Sequence, residues 1–232
     1  MSTVNEFGQP VGEDLDWTPP PPIGPVELQG AYCRLVPLAE QHAGELFQEL
    51  CLDSPPQTWT YLPVGPFQDV EGMTGHIRRL QETPGMTPLA ILTREGRAVG
   101  IATYLRNEPV YGCVEVGFIT MGTTLQRTTA STEALVLMAR HVFALGYRRY
   151  EWKCDSLNEP SRRAAVRLGF TFEGVFRQAQ VVKGRNRDTA WYAITDRDWP
   201  RVAAAYDAWL VPTNFDDAGR QRAPLQCGSR PV

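Results

Sequence analysis

The sequence predicts an α+β fold in which helices pack on a mixed, mostly antiparallel central sheet. Two helical segments lie near the start, an antiparallel meander of strands follows, and a strand-helix-strand crossover precedes a last hairpin. This order differs from a doubly wound fold, in which parallel strands alternate with helices throughout. With 232 residues and 43% hydrophobic content, the chain can bury one sizeable core.

The first half of the chain contributes two helices and four strands. A short strand at 32–38 precedes a helix at 39–51, and a proline-rich irregular segment at 52–67 leads to a second helix at 69–81. The stretch "LAILTREGRAVGIATYL" is typical of a hairpin, because Gly96 stands where its turn needs a positive φ. A third strand of the same sheet follows at 111–120.

The second half continues with alternating helices and strands. The predicted elements are a helix at 131–146, a strand at 147–155, a helix at 159–169, a strand at 170–182, a turn at 183–188, a strand at 189–195 and a helix at 196–210. Gly146 is a suitable C-terminal stop for the long helix.

The two ends differ in composition from the middle. Residues 1–25 are acidic and proline-rich, which predicts an N-terminal arm, and residues 212–232 are expected to form a C-terminal tail. Residues 26–211 are then one domain.

Composition excludes several classes of function. The net charge of -3 is unlike the basic surface that nucleic acid requires. The five cysteines are dispersed, so no metal site is expected, and no apolar run approaches the roughly 18 residues of a membrane span. We therefore expect a cytoplasmic protein with no nucleic-acid or membrane partner. The oligomeric state stays open, a homodimer included.

The segment "LQRTTASTEAL" at 125–135 lies between a strand and the long helix. The free N–H groups and positive dipole end of a helix N-terminus favour an anion such as phosphate. The alternative is an ordinary helix start, with Thr129 or Ser131 as the N-cap and Glu133 as a first-turn acid favoured by the dipole.

Three motifs together identify a family. The chain contains "EVGFIT", "LQRTTASTEA" and "NEPSRRAAVRLGF" in that order, and from about residue 32 to 210 it resembles the GNAT superfamily of acyl-CoA N-acyltransferases, in particular its RimJ/RimL-type branch. The resemblance implies a GNAT-like sheet with splayed central strands and acetyl-CoA as the acyl donor.

The resemblance also implies a coenzyme A site. The pyrophosphate loop would comprise Gln126, Arg127, Thr128, Thr129, Ala130 and Ser131, and Thr132 would continue it onto the helix. Backbone groups of Phe118, Ile119 and Thr120 would hold the pantetheine arm and polarise the thioester carbonyl. Asn158 would reach the pantetheine from the far side of the cleft, with Ser161 and Arg162 near it.

Two positions depart from the family pattern. Thr129 and Ser131 replace the usual glycines of the pyrophosphate loop, and Ala165 occupies the position where many relatives have a tyrosine that protonates the leaving thiolate. These departures leave open a non-catalytic acyl-CoA-binding or regulatory module of the same fold.

Direct acyl transfer needs a neutral amine, so a base must remove a proton from the ammonium form. Glu115 is the candidate base, with Gly117 and Ile119 on its face of the strand and Val114, Val116 and Phe118 on the other. The alternative role for Glu115 is a structural acceptor. Ser161 is the candidate acid for the thiolate, and its alternative role is a helix cap.

The acceptor pocket is expected beside the irregular segment between the first two helices. Trp59, Tyr61 and Phe67 would wall it, with Tyr192 of the last strand as another lining residue, although aromatics in such a loop also seal cores. The three histidines are expected to be surface or packing residues. The basic "KGRNRD" segment is interpreted as a solvated hairpin turn.

The sequence therefore predicts an acetyl-CoA-dependent N-acetyltransferase that acts by direct attack in a ternary complex. The expected acceptor is a primary amine of a small molecule. Protein N-terminal acetylation is the nearest alternative.

Overall fold

An eight-stranded sheet forms the centre of the protein in the computed structural model, which describes residues 3–228. Its strand order is β3-β4-β5-β6-β7-β8-β10-β9, and β1 and β2 form a separate hairpin. All neighbouring strands of the large sheet are antiparallel except β7 and β8. The strands are β1 Thr3–Val4, β2 Pro10–Val11, β3 Leu28–Gln29, β4 Arg34–Pro37, β5 Thr87–Leu92, β6 Ala98–Glu108, β7 Cys113–Met121, β8 Arg149–Asp155, β9 Thr171–Val182 and β10 Arg185–Thr195.

Helices cover both faces of this sheet. They are α1 Ala43–Phe47, α2 Val70–Glu82, α3 Thr129–Ala144, α4 Glu159–Arg167 and α5 Trp199–Trp209. The α+β fold predicted from the element order is confirmed. The expected helix at 39–51 is instead three short helical segments in succession. A 3₁₀ turn at Glu40–His42 comes first, α1 follows, and a π turn at Gln48–Leu52 comes last.

The predicted six-residue turn at 183–188 was wrong. Lys183 and Gly184 alone form it, with φ of 49° and 73°, and β10 begins at Arg185. Two positive φ values in a two-residue loop match the right-handed twist of the flanking strands, so the hairpin pairs to its tip.

Two hydrophobic cores lie on opposite faces of the sheet. The larger core packs under α3 and α5 and includes Tyr104, Met138 and Tyr206. The smaller core packs under α1 and α2 and includes Leu46 and Trp59. A ligand that passes between two strands would therefore connect the two faces.

Both terminal segments contact the domain. Trp17 Nε1 donates to the Gly146 carbonyl at 3.0 Å, and Ile23, Leu225 and Cys227 are buried in the larger core. The boundaries of the arm and tail stay a prediction, and residues 1–2 and 229–232 lie outside the described part of the chain. Across residues 3–228, none of the helices has the length and apolar character needed to cross a membrane.

The parallel strands β7 and β8 separate partway along their length. Their pairing runs from Cys113 opposite Arg149 to Val116 opposite Trp152 and ends there, although both strands continue. This confirms the splayed central strands. Beyond Val116, one edge of β7 faces a gap in the sheet.

A β-bulge at Phe118 corrects the predicted alternation along β7. Phe118 has a φ of 47°, and the register with β6 shifts at this point. The extra residue turns the Phe118 side chain toward the smaller core, on the Glu115 side, while Ile119 packs with Val116 against the larger core. The period-2 assignment of Phe118 and Ile119 was therefore wrong.

Candidate active site

A cleft with a volume of about 2610 Å³ passes through the splay between β7 and β8. Its walls include the N-terminus of α3, the first turn of α4 and the β9–β10 hairpin. All of the residues expected to bind coenzyme A, which fall between Phe118 and Thr132 and between Asn158 and Arg162, line this cleft. The structure thus brings the three sequence motifs together.

The N-terminus of α3 is open toward the cleft. Thr128 is the N-cap, and its Oγ1 accepts from the Ser131 N–H at 3.1 Å. This corrects the alternative in which Thr129 or Ser131 was the cap. Within residues 3–228, the backbone N–H groups of Thr129 and Ala130 have no partner. Free N–H groups at a helix start suit an anion.

Arg127 takes the strained position of this loop. Its φ is 62°, a left-handed conformation that glycine usually supplies, and it lies directly before the N-cap. The turn is therefore formed at Arg127, while Thr129 and Ser131 adopt helical conformations that need no glycine.

A buried carboxylate that the sequence analysis missed fixes the turn before α3. Glu49 is fully buried, accepts from Thr124 N at 2.9 Å and Thr124 Oγ1 at 3.0 Å, and pairs with Arg97 at 3.1 Å. A Cβ at Gly122 would lie 2.2 Å from Glu49 Cγ, so this turn also needs its glycine. In the sequence, Glu49 looks like any exposed acid of an amphipathic helix.

Glu133 also differs from the expected role. Its carboxylate is buried and accepts from the backbone N–H groups of Ala31, Tyr32 and Cys33 at 2.7–2.9 Å. It therefore joins α3 to the segment before β4, and is more than a first-turn acid placed by the helix dipole.

The start of α4 forms the opposite wall of the cleft. Asn158 is the N-cap, and its Oδ1 accepts from Ser161 N at 3.1 Å, so Ser161 is not the cap. Ser161 Oγ accepts from Trp152 Nε1 at 3.0 Å, which leaves its hydroxyl proton able to donate. Ala165 is fully buried, and its methyl side chain has no group that could act as an acid.

Glu115 forms a buried ion pair beside the splay. Its Oε2 lies 2.5 Å from Lys153 Nζ, and both side chains line the cleft. Burial raises the pKa of the Glu115 carboxyl, and the Lys153 ammonium opposes that shift. Lys153 Nζ also lies 4.3 Å from the centre of the Trp191 ring. The sequence analysis gave Lys153 and Trp191 no role, and only their placement around Glu115 reveals one.

Only one of the three loop aromatics lines the cleft. Tyr61 lies there and donates from its hydroxyl to the Leu157 carbonyl at 3.1 Å. Trp59 and Phe67 instead pack edge to face in the smaller core, with ring centres 5.3 Å apart, so their assignment to the acceptor pocket was wrong. A Cβ at Gly65 would lie 2.3 Å from the Trp59 ring, which shows how closely the loop covers that ring.

Tyr192 lies on the face of the sheet that carries the larger core. Its hydroxyl accepts from Arg162 Nε at 3.2 Å, and its ring belongs to the larger core. The residue of β10 that faces the Glu115 side is its neighbour Trp191, since side chains alternate along a strand. Tyr192 does line the cleft, and its contact with the acceptor stays a prediction.

The histidines are packing residues, as the sequence predicted. His76 stacks on Phe67 with ring centres 5.1 Å apart, and burial lowers its pKa to about 4. His42 is buried, and its Nδ1 accepts from Ala39 N at 3.1 Å.

The splayed parallel pair beside an open helix N-terminus is the arrangement that the resemblance to acyl-CoA N-acyltransferases led us to expect. A model of the acetyltransferase (GNAT) domain matches residues 33–171. The chain belongs to the GNAT acetyltransferase family.

Known proteins resemble most of the chain. A GCN5-related N-acetyltransferase of Brucella melitensis is 42% identical, over 90% of this chain and 96% of that one, with a TM-score of 0.88. A probable GNAT-family acetyltransferase of Chromobacterium violaceum is 33% identical, over 83% of this chain and 98% of that one, with a TM-score of 0.78. A ribosomal-protein-serine acetyltransferase of Escherichia coli is 25% identical over 67% of this chain and 88% of its own length.

Proposed function

We propose that the protein transfers an acetyl group from acetyl-CoA to the primary amine of a small molecule, by direct attack within a ternary complex. The observation that carries the proposal is the cleft through the splay. It joins the free N–H groups at the start of α3 to the Glu115–Lys153 pair near the opposite face. An anionic donor and an amine could therefore meet in the plane of the sheet.

The residues present fit coenzyme A. The free N–H groups of Thr129 and Ala130 suit its pyrophosphate, and the Arg127 side chain lies beside them in the cleft wall. The unpaired edge of β7 beyond Val116 offers backbone groups to the amides of the pantetheine arm. When bound, the coenzyme supplies an acetyl thioester.

Glu115 is proposed to take the proton from the acceptor ammonium, directly or through water. A carboxyl whose pKa is raised by burial is a stronger base than an exposed one. Ser161 is proposed to donate its hydroxyl proton toward the leaving thiolate, since Trp152 already uses one of its lone pairs. A thiolate is a tolerable leaving group, so this donor would assist the reaction without being required.

Contacts above the Glu115 side of the cleft favour a small acceptor. Lys183 Nζ, at the tip of the β9–β10 hairpin, donates to the carbonyls of Trp59 and Gly65 at 2.8 and 3.2 Å. Tyr61 connects the same loop to Leu157. These bonds join the loop to both neighbouring walls and restrict the space for a bulky acceptor.

Acetylation of a protein N-terminus is the second candidate. Its support is the similarity to the ribosomal-protein-serine acetyltransferase, which covers 67% of this chain. A flexible N-terminal peptide could enter where a folded domain could not.

The test combines calorimetry with thiol release. We expect acetyl-CoA to bind and free thiol to appear with small primary amines, and Glu115→Gln to retain binding while losing most turnover at neutral pH. The matched control is Glu82→Gln, at an exposed position of α2. Failure to bind acetyl-CoA would contradict the enzyme proposal. Binding without thiol release from any amine would indicate the non-catalytic module, and release only with peptides would select the second candidate.

A further inference from the structure

Three side chains of β10 present unused hydrogen-bonding groups to the cleft. Arg187 Nε, Thr189 Oγ1 and Trp191 Nε1 are buried and have no hydrogen-bond partner within the described residues. All three residues line the cleft, and Thr189 is only 5% exposed. Buried polar groups in proteins nearly always find a partner, so three unpaired ones along one strand suggest a missing ligand.

Thr189 and Trp191 share the face of the sheet that carries Glu115, because side chains two apart on a strand point the same way. Arg187 lines the same cleft two residues before Thr189, at a point where the pairing of β10 with β9 shifts register. Trp191 is the register partner of Lys153, whose ammonium lies 4.3 Å from its ring centre and 2.5 Å from Glu115. We call Arg187, Thr189 and Trp191 the row. The row therefore begins beside the proposed base, Glu115, and extends along β10 away from it.

The chemistry of the row suits a carboxylate. The Arg187 guanidinium and the Trp191 indole only donate, and the Thr189 hydroxyl can donate, whereas an ionised carboxylate only accepts. The guanidinium of Arg187 has no ion pair among residues 3–228, so its charge is available. Two acids lie near the row along the strands, and each already accepts a backbone N–H. Asp155, opposite Thr189, accepts from Leu157 at 2.9 Å. Asp188, next to Arg187, accepts from Gln178 at 2.7 Å.

We propose that Arg187, Thr189 and Trp191 bind a carboxylate on the acceptor, so that the substrate is a small amine that also carries a carboxylate. This inference rests on the proposed function, because it assigns the amine end to Glu115. Residues two apart on a strand are about 7 Å apart, so the carboxylate lies several bonds from the amine.

The test uses ω-amino carboxylates of increasing chain length, each compared with its primary amide and with the alkylamine of the same length. We expect the carboxylate to exceed both analogues in kcat/KM at one or two chain lengths. Arg187→Met should reduce that preference by roughly 10- to 100-fold, since a hydrogen bond to a charged group is lost. Thr189→Val and Trp191→Phe should each reduce the preference for the carboxylate by a smaller factor, because the hydrogen-bond donors that they remove are neutral.

Arg185→Met is the matched control, because Arg185 is an exposed arginine of the same strand that does not line the cleft. It should leave the preference unchanged. Calorimetry of the preferred ω-amino carboxylate with the coenzyme A complex measures recognition without turnover, and Arg187→Met should weaken that binding by the same factor.

Equal turnover of carboxylate, amide and alkylamine, with no effect of Arg187→Met, would overturn this inference while leaving the acetyltransferase proposal intact. A preference for the amide would also overturn it, and would favour a peptide acceptor. If no amine is turned over, the calorimetry alone decides. A carboxylate affinity that is the same in Arg187→Met as in the wild type would then overturn the inference.

Discussion

Replacing Lys153 by methionine should move the acid limb of the pH–rate profile to higher pH. Glu115 lies 2.5 Å from the Lys153 ammonium, which lowers the pKa of a carboxyl that burial raises. Removing the ammonium takes away the larger of the two cationic effects that oppose burial and leaves only that of Arg106, so the pKa of Glu115 should rise. Because a general base acts only when ionised, kcat/KM should then begin to rise at a higher pH.

The expected size follows from the geometry. An opposite charge within about 4–6 Å usually moves a carboxyl pKa by about 1–3 units, and this pair is closer and buried. We therefore expect the acid limb to move up by about 1–3 pH units, and kcat/KM at the foot of that limb to fall about 10- to 1000-fold.

The assay is thiol release from acetyl-CoA under kcat/KM conditions over a pH series. Lys153→Arg should restore most of the wild-type limb, because it returns a positive charge, and Glu115→Gln should abolish the limb. Thermal unfolding of each variant checks that the fold persists. An acid limb that stays in place in Lys153→Met would refute the assignment of Glu115 as the base.

Three further predictions concern the turn before α3, the smaller core and the start of α4. Glu49→Gln should destabilise the protein by about 2 kcal/mol in denaturant titration and weaken acetyl-CoA binding in calorimetry, because a buried charged acceptor of two hydrogen bonds is lost. Glu40→Gln, which breaks an exposed ion pair, should change the stability far less. The pKa of His76 is about 4 when folded and about 6.5 when unfolded, so the unfolded chain binds more protons between these values and stability falls as pH drops through them. His76→Phe should flatten this pH dependence, which amounts to about 3 kcal/mol in the free energy of unfolding at the acid end. If the free energy of unfolding depends on pH in this variant as it does in the wild type, His76 is not the group responsible. Asn158→Ala should weaken acetyl-CoA binding, whereas an affinity equal to wild type would argue against its placement.

The sequence predicted the fold well where local patterns determine it. The order of helices and strands, the turn at Gly96 and the start of the helix α3 follow from periodicity and from helix-end chemistry, and these are local properties. The bulge at Phe118 could not be foreseen, because its positive φ is imposed by the strands around it.

The acceptor side of the cleft was predicted least well. Trp59 and Phe67 seal a core because α2 and its His76 lie beneath them, a packing partner that no nearby residue indicates. Lys153 and Trp191 come from separate strands and meet in the cleft only through the sheet order. Glu49 reaches the turn before α3 from the π turn, which is equally distant in the chain. Roles that depend on contacts between distant segments leave little trace in one sequence.

A crystal structure of the protein with coenzyme A tests the central claim most directly. The account predicts the pyrophosphate within hydrogen-bonding distance of the Thr129 and Ala130 N–H groups, and the thiol in the splay near Phe118, with Glu115 facing the space beyond it. A pyrophosphate bound away from the start of α3, or a thiol that does not enter the splay, would contradict it.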